Sequence, residues 1–514
     1  MKTILHSFTI GFALMAAPLF AGETFKDAAI TQKLADIREV SNAGPFKADW
    51  DSLGEYKIPE WYIDAKFGIF IHWGVYSVPA FATEWYPKEM YNSVKSRRGI
   101  YEHHQEKYGA DIGYKDFIPD FKAEKFDPEA WAQLFKDAGA RYVVPVAEHH
   151  DGFPMYASDY TNWDASEMGP KQDIIAALSK SVREAGLHFG VSSHRAEHWW
   201  FYGGGRKISS DVQDERYRGL YGPARDRDEA EAGVDLPDQK FLDDWLLRTA
   251  EVVDKYNPEI IWFDWWIGQP VFQAHLKTFA SYYYNRGSTY PNMVAINYKK
   301  FGGQSFTDTA GVMDIERGGL ADIRELFWQT DTSVSKNSWG YITNHNYKTV
   351  NSLIDDLIDI VSKNGCMLLN IGPKSDGTIP QQEQDMLLEM GAWLKQNGEA
   401  IYGSRTWETF GEGATKVKDG TMHNDGEAKR KDFNADDVRF TTQGRTVYAT
   451  ILAWPGDGAD FTVRSFTSAV LKGVEDVSMI GAGQLAWKQD ANGLHVTLPK
   501  KAPGQHAFVL KIER

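Results

Sequence analysis

Six short stretches of this 514-residue chain carry groups able to do chemistry, and five of them contain or adjoin an aromatic residue, histidine included. They are His72-Trp73, Glu84-Trp85-Tyr86, Glu148-His149-His150-Asp151, His194-Arg195-Ala196-Glu197, Trp262-Phe263-Asp264-Trp265-Trp266 and Glu316-Arg317. Carboxylates supply nucleophiles, bases or proton donors. Imidazoles both donate and accept hydrogen bonds. Indole faces stack on the C–H faces of a sugar ring. Together these types suit acid, base or nucleophilic chemistry on a small polyhydroxylated ring. Each residue also has a plainer reading. Asp264 either caps the following helix, pairs with a buried Arg, or faces a ligand. A lone histidine is more often a buried ring bonded to backbone; three or four beside tryptophans are harder to dismiss that way.

The elements that must hold these groups follow from the apolar pattern. Phe241 to Tyr256 carries Leu242, Trp245, Leu246, Ala250 and Val253 at helical spacing, and Asn257-Pro258 ends that helix. Ile260–Phe263 then reads as a buried parallel strand with Asp264 at its carboxyl end. The same pattern predicts strands at Ile69–Ile71, Arg141–Ala147, His188–Ser193, Met293–Asn297, Val312–Ile315, Phe327–Asp331 and Met367–Ile371. Helices over 127–139, 173–186 and 350–362 separate several of them, and one around 381–397 closes the set. Eight strands of this kind define an α/β fold, a (β/α)8 barrel over 22–404, in which chemistry sits at the carboxyl ends of the strands. Residues 202–237, rich in Gly, Asp, Glu and Arg, read as a long loop. After about Arg405 the pattern changes to alternation with Gly, Asp and Asn turns, as in Thr446–Leu452 and His495–Leu498. This predicts an antiparallel β-sandwich over 405–514.

Composition narrows the function. Aromatic residues make up 14%, a share that favours a carbohydrate ligand, though barrels also pack with aromatics. A net charge of −15 argues against nucleic acid and against an anionic membrane surface. The single cysteine, Cys366, rules out an intrachain disulfide and cysteine-based metal sites. The N-terminus runs from Lys2 through an apolar stretch to the small residues before Ala21-Gly22, the order of a secretory signal over 1–21. The expected destination is the periplasm or the cell exterior, with no membrane span thereafter.

At this point the chain resembles glycoside hydrolase family 29, the exo-acting α-L-fucosidases. The matching stretches are Trp61-Tyr62 with Ala65-Lys66-Phe67-Gly68-Ile69-Phe70-Ile71-His72-Trp73-Gly74, then Glu84-Trp85-Tyr86, His149-His150-Asp151-Gly152-Phe153 and Trp262-Phe263-Asp264. Val361-Ser362-Lys363-Asn364-Gly365, Leu368-Leu369-Asn370-Ile371-Gly372-Pro373 and Asn397-Gly398-Glu399-Ala400-Ile401-Tyr402-Gly403 follow in order. The resemblance implies that Asp264 is the nucleophile of a retaining hydrolase. It implies that His72, Glu84, Trp85, His149, His150 and Trp262 bind the fucose ring, and it fits a C-terminal β-sandwich. The substrate it implies is a fucosylated oligosaccharide or polysaccharide; no cofactor or metal is called for.

Glu316 is the leading candidate for the acid/base, with Glu84 and Glu197 in reserve and Arg317 a further substrate contact. The chain departs from the family pattern twice. Gln329 follows Trp328 where many members have Glu. Ser192-Ser193-His194 stands where many have Tyr-Tyr-Ser, and His194 is a candidate substrate contact there. The second departure leaves open a related sugar such as L-galactose, or a sulfated fucan end met by Arg195, Arg206 or Arg225. A more distant alternative is a metal-dependent barrel hydrolase using His103-His104, Glu148-His149-His150 and Asp264.

Overall fold

The computed structural model describes residues 19–94, 96–300, 306–420 and 432–514. Of the expected leader, residues 1–18 lie outside the described residues, and Leu19–Ala21 open a helix, α1, that runs to Ala43. None of the described helices is long and apolar enough to cross a membrane.

Eight parallel strands close into a barrel in sequence order: β1 (Phe67–Ile71), β2 (Tyr142–Glu148), β3 (His188–Ser193), β4 (Ile260–Phe263), β5 (Ala295–Lys299), β6 (Val312–Asp314), β7 (Trp328–Ser333) and β8 (Gly365–Ile371). β8 pairs back onto β1, with Phe67 opposite Met367 and Ile71 opposite Ile371. Five longer helices lie in the crossovers: α2 (Pro128–Asp137), α3 (Ile174–Glu184), α4 (Gln239–Tyr256), α5 (Gln273–Gly287) and α6 (Val350–Ser362). A sixth, α7 (Gln381–Asn397), follows β8. The β5–β6 and β6–β7 connections contain no helix among the described residues, so the barrel is less regular than an ideal eightfold repeat.

Local chemistry explains the helix ends. Asp127, Asp173 and Asp238 each cap a helix by accepting a backbone N–H in its first turn. Asn257 ends α4 in the left-handed region at φ 46°, and Pro258 prevents its continuation.

Each barrel strand faces the core on both sides. Phe70, Tyr142, Val144, Ile260, Trp262, Val312, Cys366 and Leu368 form an inner cluster, while Ile69, Val143, Ile261 and Leu369 pack outward against the helices. This period-2 alternation also sets the mouth. The parity that turns Trp262 inward turns Asp264 inward; that of Ala295 carries Asn297 and Lys299; that of Val312 carries Asp314 and Glu316. The floor is polar but satisfied. The hydroxyls of Tyr62 and Tyr142 donate to Gln329 Oε1 at 2.7 and 2.9 Å, and Asn297 Nδ2 donates to the Tyr62 hydroxyl at 2.9 Å. Tyr142 lies across Gly68, where any Cβ would sit 2.3 Å from the ring.

The C-terminal part is a β-sandwich. A six-stranded sheet, ordered Gly483–Gln484, Asp476–Met479, Phe508–Glu513, Thr446–Ile451, Val438–Gln443 and Arg405–Glu412, faces a three-stranded one of Asp460–Val463, Gly493–Thr497 and Ala486–Asp490. It has its own core around Trp407, Phe440, Phe466 and Leu510. Against the barrel, Arg439 Nε reaches Asp359 of α6 at 2.6 Å, and Trp393 of α7 donates to Ala507 O at 2.9 Å.

Candidate active site

Asp264 follows β4 and is the hub of the mouth. Its side chain is 13% exposed. Oδ1 accepts the Trp265 N–H at 2.8 Å and lies 3.5 Å from Lys299 Nζ. Oδ2 accepts from His194 Nδ1 at 3.1 Å and lies 3.4 Å from His150 Nε2. Asp264 therefore caps the short turn Trp265–Gly268 and also faces the cavity, so the two sequence readings are both true of it. Burial by itself would raise its pKa, but the Lys299 ammonium and then the hydrogen bond from His194 outweigh that and hold the carboxyl well below its ordinary range.

Lys299, the last residue of β5, is the charge partner of the whole mouth. Its ammonium lies 2.8 Å from Glu316 Oε2, 3.5 Å from Asp264 Oδ1 and 3.4 Å from Asp331 Oδ2, with the Trp262 ring centroid 4.8 Å away. Burial opposes its charge, yet Asp331, Glu316 and Asp264 keep its pKa well above the usual lysine value. Because Asp264 and Glu316 touch one ammonium, their nearest oxygens are no farther apart than those two contacts laid end to end. That bound on the nearest oxygens is compatible with the ~5–5.5 Å separation of a retaining carboxyl pair. Beneath Lys299, Asp314 accepts from Trp262 Nε1 at 3.2 Å and from Gln329 Nε2 at 2.5 Å. Burial and the neighbouring Asp314 push Asp331 well above the carboxylate range, so this buried pair retains a proton.

Four imidazoles floor one side. His72 Nδ1 donates to Asn370 Oδ1 at 2.7 Å, leaving Nε2 as an acceptor. His150 Nδ1 donates to the His194 carbonyl at 3.1 Å. His194, which donates to Asp264, accepts at Nε2 from the Ser192 hydroxyl at 3.0 Å. His149 Nδ1 is buried with no protein partner. Burial pulls His72 and His149 well below the usual histidine value and His150 down to about 3, so these three rings are neutral hydrogen-bonding groups at ordinary pH. Glu197 lies below them, fully buried, with Oε2 3.5 Å from His150 Nδ1. Burial and then the charge of Asp264 raise its pKa well above the usual range.

Glu84, Trp85 and Trp339 adjoin these imidazoles, with the Trp339 ring 5.2 Å from that of His72. Glu84 Oε2 accepts from the Thr83 and Ser338 hydroxyls and from the Trp339 N–H. Trp85 lies 5.1 Å from the His150 ring. Arg317, at φ 48°, stacks its guanidinium 4.4 Å from Trp339 and donates to Ser335 O. A cavity of about 1060 Å³ opens above, lined among others by Glu84, Trp85, Trp265, Lys299, Glu316 and Trp339.

The structure thus brings together Asp264, Glu316, His72, His149, His150, His194, Glu84, Trp85, Trp262 and Arg317. Several sequence expectations require correction. Trp73 packs with Phe121, Phe126 and Trp131 and donates to Lys374 O, away from the mouth. Gln329 sits in the barrel floor, bonded to Tyr62, Tyr142 and Asp314. Arg195 is buried between Glu148 and Asp244 and is not available to a sulfate. Arg225 lies by Asp235 and Trp199, and Arg206 lines a separate shallow depression. His104 bonds Tyr86 and Ile112, and His103 stacks on Phe81, so neither joins Asp264. Two groups, His72–His149–His194 and His150–His194–Asp264, are close enough to share a metal ion. In both, His194 already uses both ring nitrogens on Asp264 and Ser192.

Sequence reasoning missed Lys299, Trp339 and Asn370. The strand-end rule would have found Lys299 had β5 been placed at Ala295–Lys299 instead of two residues earlier. Asn370 stands out in the sequence only as one member of the Leu368–Pro373 motif, and nothing in the local pattern marks Trp339.

A dead-ended pocket of this shape, with paired carboxylates, neutral imidazoles and indole walls, suits a glycoside hydrolase. Residues 33–399 match the family model described as α-L-fucosidase, and residues 430–513 that of the α-L-fucosidase C-terminal domain. Tissue α-L-fucosidase of Rattus norvegicus is 32% identical over 481 residues, covering 91% of this chain and 93% of that protein. Plasma α-L-fucosidase of Homo sapiens is 31% identical over 469 residues, covering 89% and 90%. The solved structure of Thermotoga maritima α-fucosidase in complex with fucose is similar with a TM-score of 0.72 at 31% identity, covering 91% of this chain and all of that one. The chain belongs to the α-L-fucosidase family.

Proposed function

We propose that this protein is an exported, retaining exo-α-L-fucosidase that removes terminal α-L-fucosyl residues from oligosaccharides or glycans. The observation that carries the reading is the contact of Asp264 and Glu316 with one buried ammonium, Lys299. In the first step Asp264 attacks the anomeric carbon. The bond to the leaving oxygen breaks as Glu316, which has to take up a proton and release Lys299 for this step, gives that oxygen its proton. In the second step the Glu316 carboxylate takes a proton from water, whose oxygen attacks the same carbon and releases Asp264. The neutral rings of His72, His149 and His150, with His194 and Glu84, position ring hydroxyls. Trp262 and Trp85 give apolar walls to the methyl group and ring, and Arg317 fixes Trp339. The leader-like order of residues 1–21 supports export.

The test is the initial rate on an aryl α-L-fucoside for the wild type and Asp264→Asn, with and without chelator. Turnover that survives chelation and falls by several orders of magnitude in the variant supports the reading. Unchanged turnover in Asp264→Asn removes it.

A further inference from the structure

The cavity is larger than one sugar ring needs, and its outer edge is built unlike the inner mouth. Arg98 stands there, in the loop after β1. Its backbone is in the left-handed region at φ 59°, a conformation that non-glycine residues hold at a cost and often at functional sites. Both hydrogens of Nη1 are used: it donates to Ala82 O and to Asn337 O, each at 2.6 Å. One guanidinium thereby ties the loop after β1 to the loop after β7, and its position is fixed. A guanidinium has five N–H groups. The remaining three, along the Nε–Nη2 edge, have no protein acceptor among the described residues. That edge matches two oxygens of one oxyanion.

Nor is the charge of Arg98 matched by an ion pair among the described residues, and the same holds for its neighbour Arg97. Both line the cavity. Two of the acids of that rim already have cationic partners, and a third is hydrogen-bonded to backbone. Glu89 takes Lys88 Nζ at 2.7 Å, Glu231 takes Arg227 at 2.8 Å, and Asp419 accepts the Ala321 N–H at 2.7 Å. Glu84, which offsets some of the charge, already accepts from three donors. Partial burial, and then the like charge of Arg97 and Arg317, pull the Arg98 pKa down from its usual value. A protein of net charge −15 thus keeps two arginines with no ion-pair partner among the described residues in the lining of its pocket, and one of them, Arg98, is held in place by two hydrogen bonds.

We propose that Arg98, assisted by Arg97, forms a subsite for an oxyanion, a sulfate ester or a uronate carboxylate, carried by the saccharide next to the fucosyl residue. The assignment rests on fucose occupying the Asp264 mouth. It places sulfate recognition at the cavity edge, not at Arg195, Arg206 or Arg225.

The experiment uses the full-length enzyme and α-L-fucosyl disaccharides alike except that the leaving sugar bears a sulfate ester, a carboxylate or neither. An aryl α-L-fucoside is run in parallel. The expected result is a kcat/KM at least about tenfold higher for one or both charged disaccharides than for the neutral one. That ratio shrinks at high ionic strength and collapses toward one in Arg97→Gln/Arg98→Gln. Because the readout is a ratio of two substrates on one enzyme, a general loss of activity in the variant cancels. The sulfate and carboxylate arms identify which oxyanion is bound. Equal kcat/KM for charged and neutral disaccharides, or a preference that survives the double substitution, overturns the subsite. Absence of aryl fucoside turnover in the wild type counts instead against the fucosidase reading.

Discussion

Lys299 is the residue on which both carboxylates depend. In Lys299→Met, Asp264 loses the strongest of the influences that lower its pKa. The expected outcome is a drop in kcat of about 10²–10³-fold, the scale for removing one preorganised electrostatic group. The acidic limb of the kcat/KM profile should also move to higher pH, because a carboxylate released from a cation holds its proton more tightly. A pH–rate series on the wild type and variant checks both. Glu316→Ala is expected to cost far more on a substrate with an unactivated leaving group than on an aryl fucoside, since only the former needs a proton donor in the first step. Similar losses on both would reassign the acid/base. Most of this site was legible at the residue scale because carboxylates and imidazoles beside tryptophans at strand ends stand out. His194 was found as a departure, and its bond to Asp264 accounts for its place. Lys299 was hidden because Tyr298-Lys299 looks like the start of a loop; pairing of β5 with β4 and β6, not apolarity, carries the strand that far.

At the scale of elements, α7 carries an unusual acid. Glu383 is buried, accepts the Gly372 N–H at 3.0 Å and the Tyr347 hydroxyl at 3.1 Å, and has its pKa pushed up to about 8 by burial. A folded pKa above the unfolded one, about 4.3, means that the folded state keeps a proton the unfolded state loses. Stability is therefore full below about pH 4 and erodes as pH rises toward 8. Glu383→Gln keeps the shape and removes the titration, so its Tm should fall less than that of the wild type between pH 5 and 8, as measured by calorimetry. A simpler element-level case is Asp238, which caps α4; Asp238→Ala is expected to cost about 1 kcal/mol in denaturant unfolding. The elements themselves were readable wherever periodicity and a stop signal coincided, as at Asn257-Pro258. The stretch 202–237 was not. It folds into several short turns, including Arg227–Glu231, whose Arg227 packs over Trp200 and Trp85, and turns that short leave no period to detect.

For the whole molecule, barrel and sandwich are joined by a buried cluster in which Asp359 bonds both Arg439 at 2.6 Å and Lys363 at 2.7 Å. Arg439→Met leaves the acid with one partner, and breaking a buried pair of this kind costs about 3–5 kcal/mol. Urea unfolding should show the loss, and a variant as stable as the wild type would make the contact incidental. The two-part architecture was visible in the change of period near Arg405, whereas the clamp was not, because its members lie 80 residues apart. The barrel floor has a consequence of its own. With Tyr62, Tyr142, Asn297 and Gln329 bonded across it, the described residues leave the pocket no exit through its floor. The sugar held deepest has to leave last, through the space its former neighbour vacated. Release is then ordered: the aglycone departs first, water arrives by the same route, and free L-fucose competes with fresh substrate while the aglycone does not. In steady-state kinetics this appears as competitive product inhibition by L-fucose and a noncompetitive pattern from the other product.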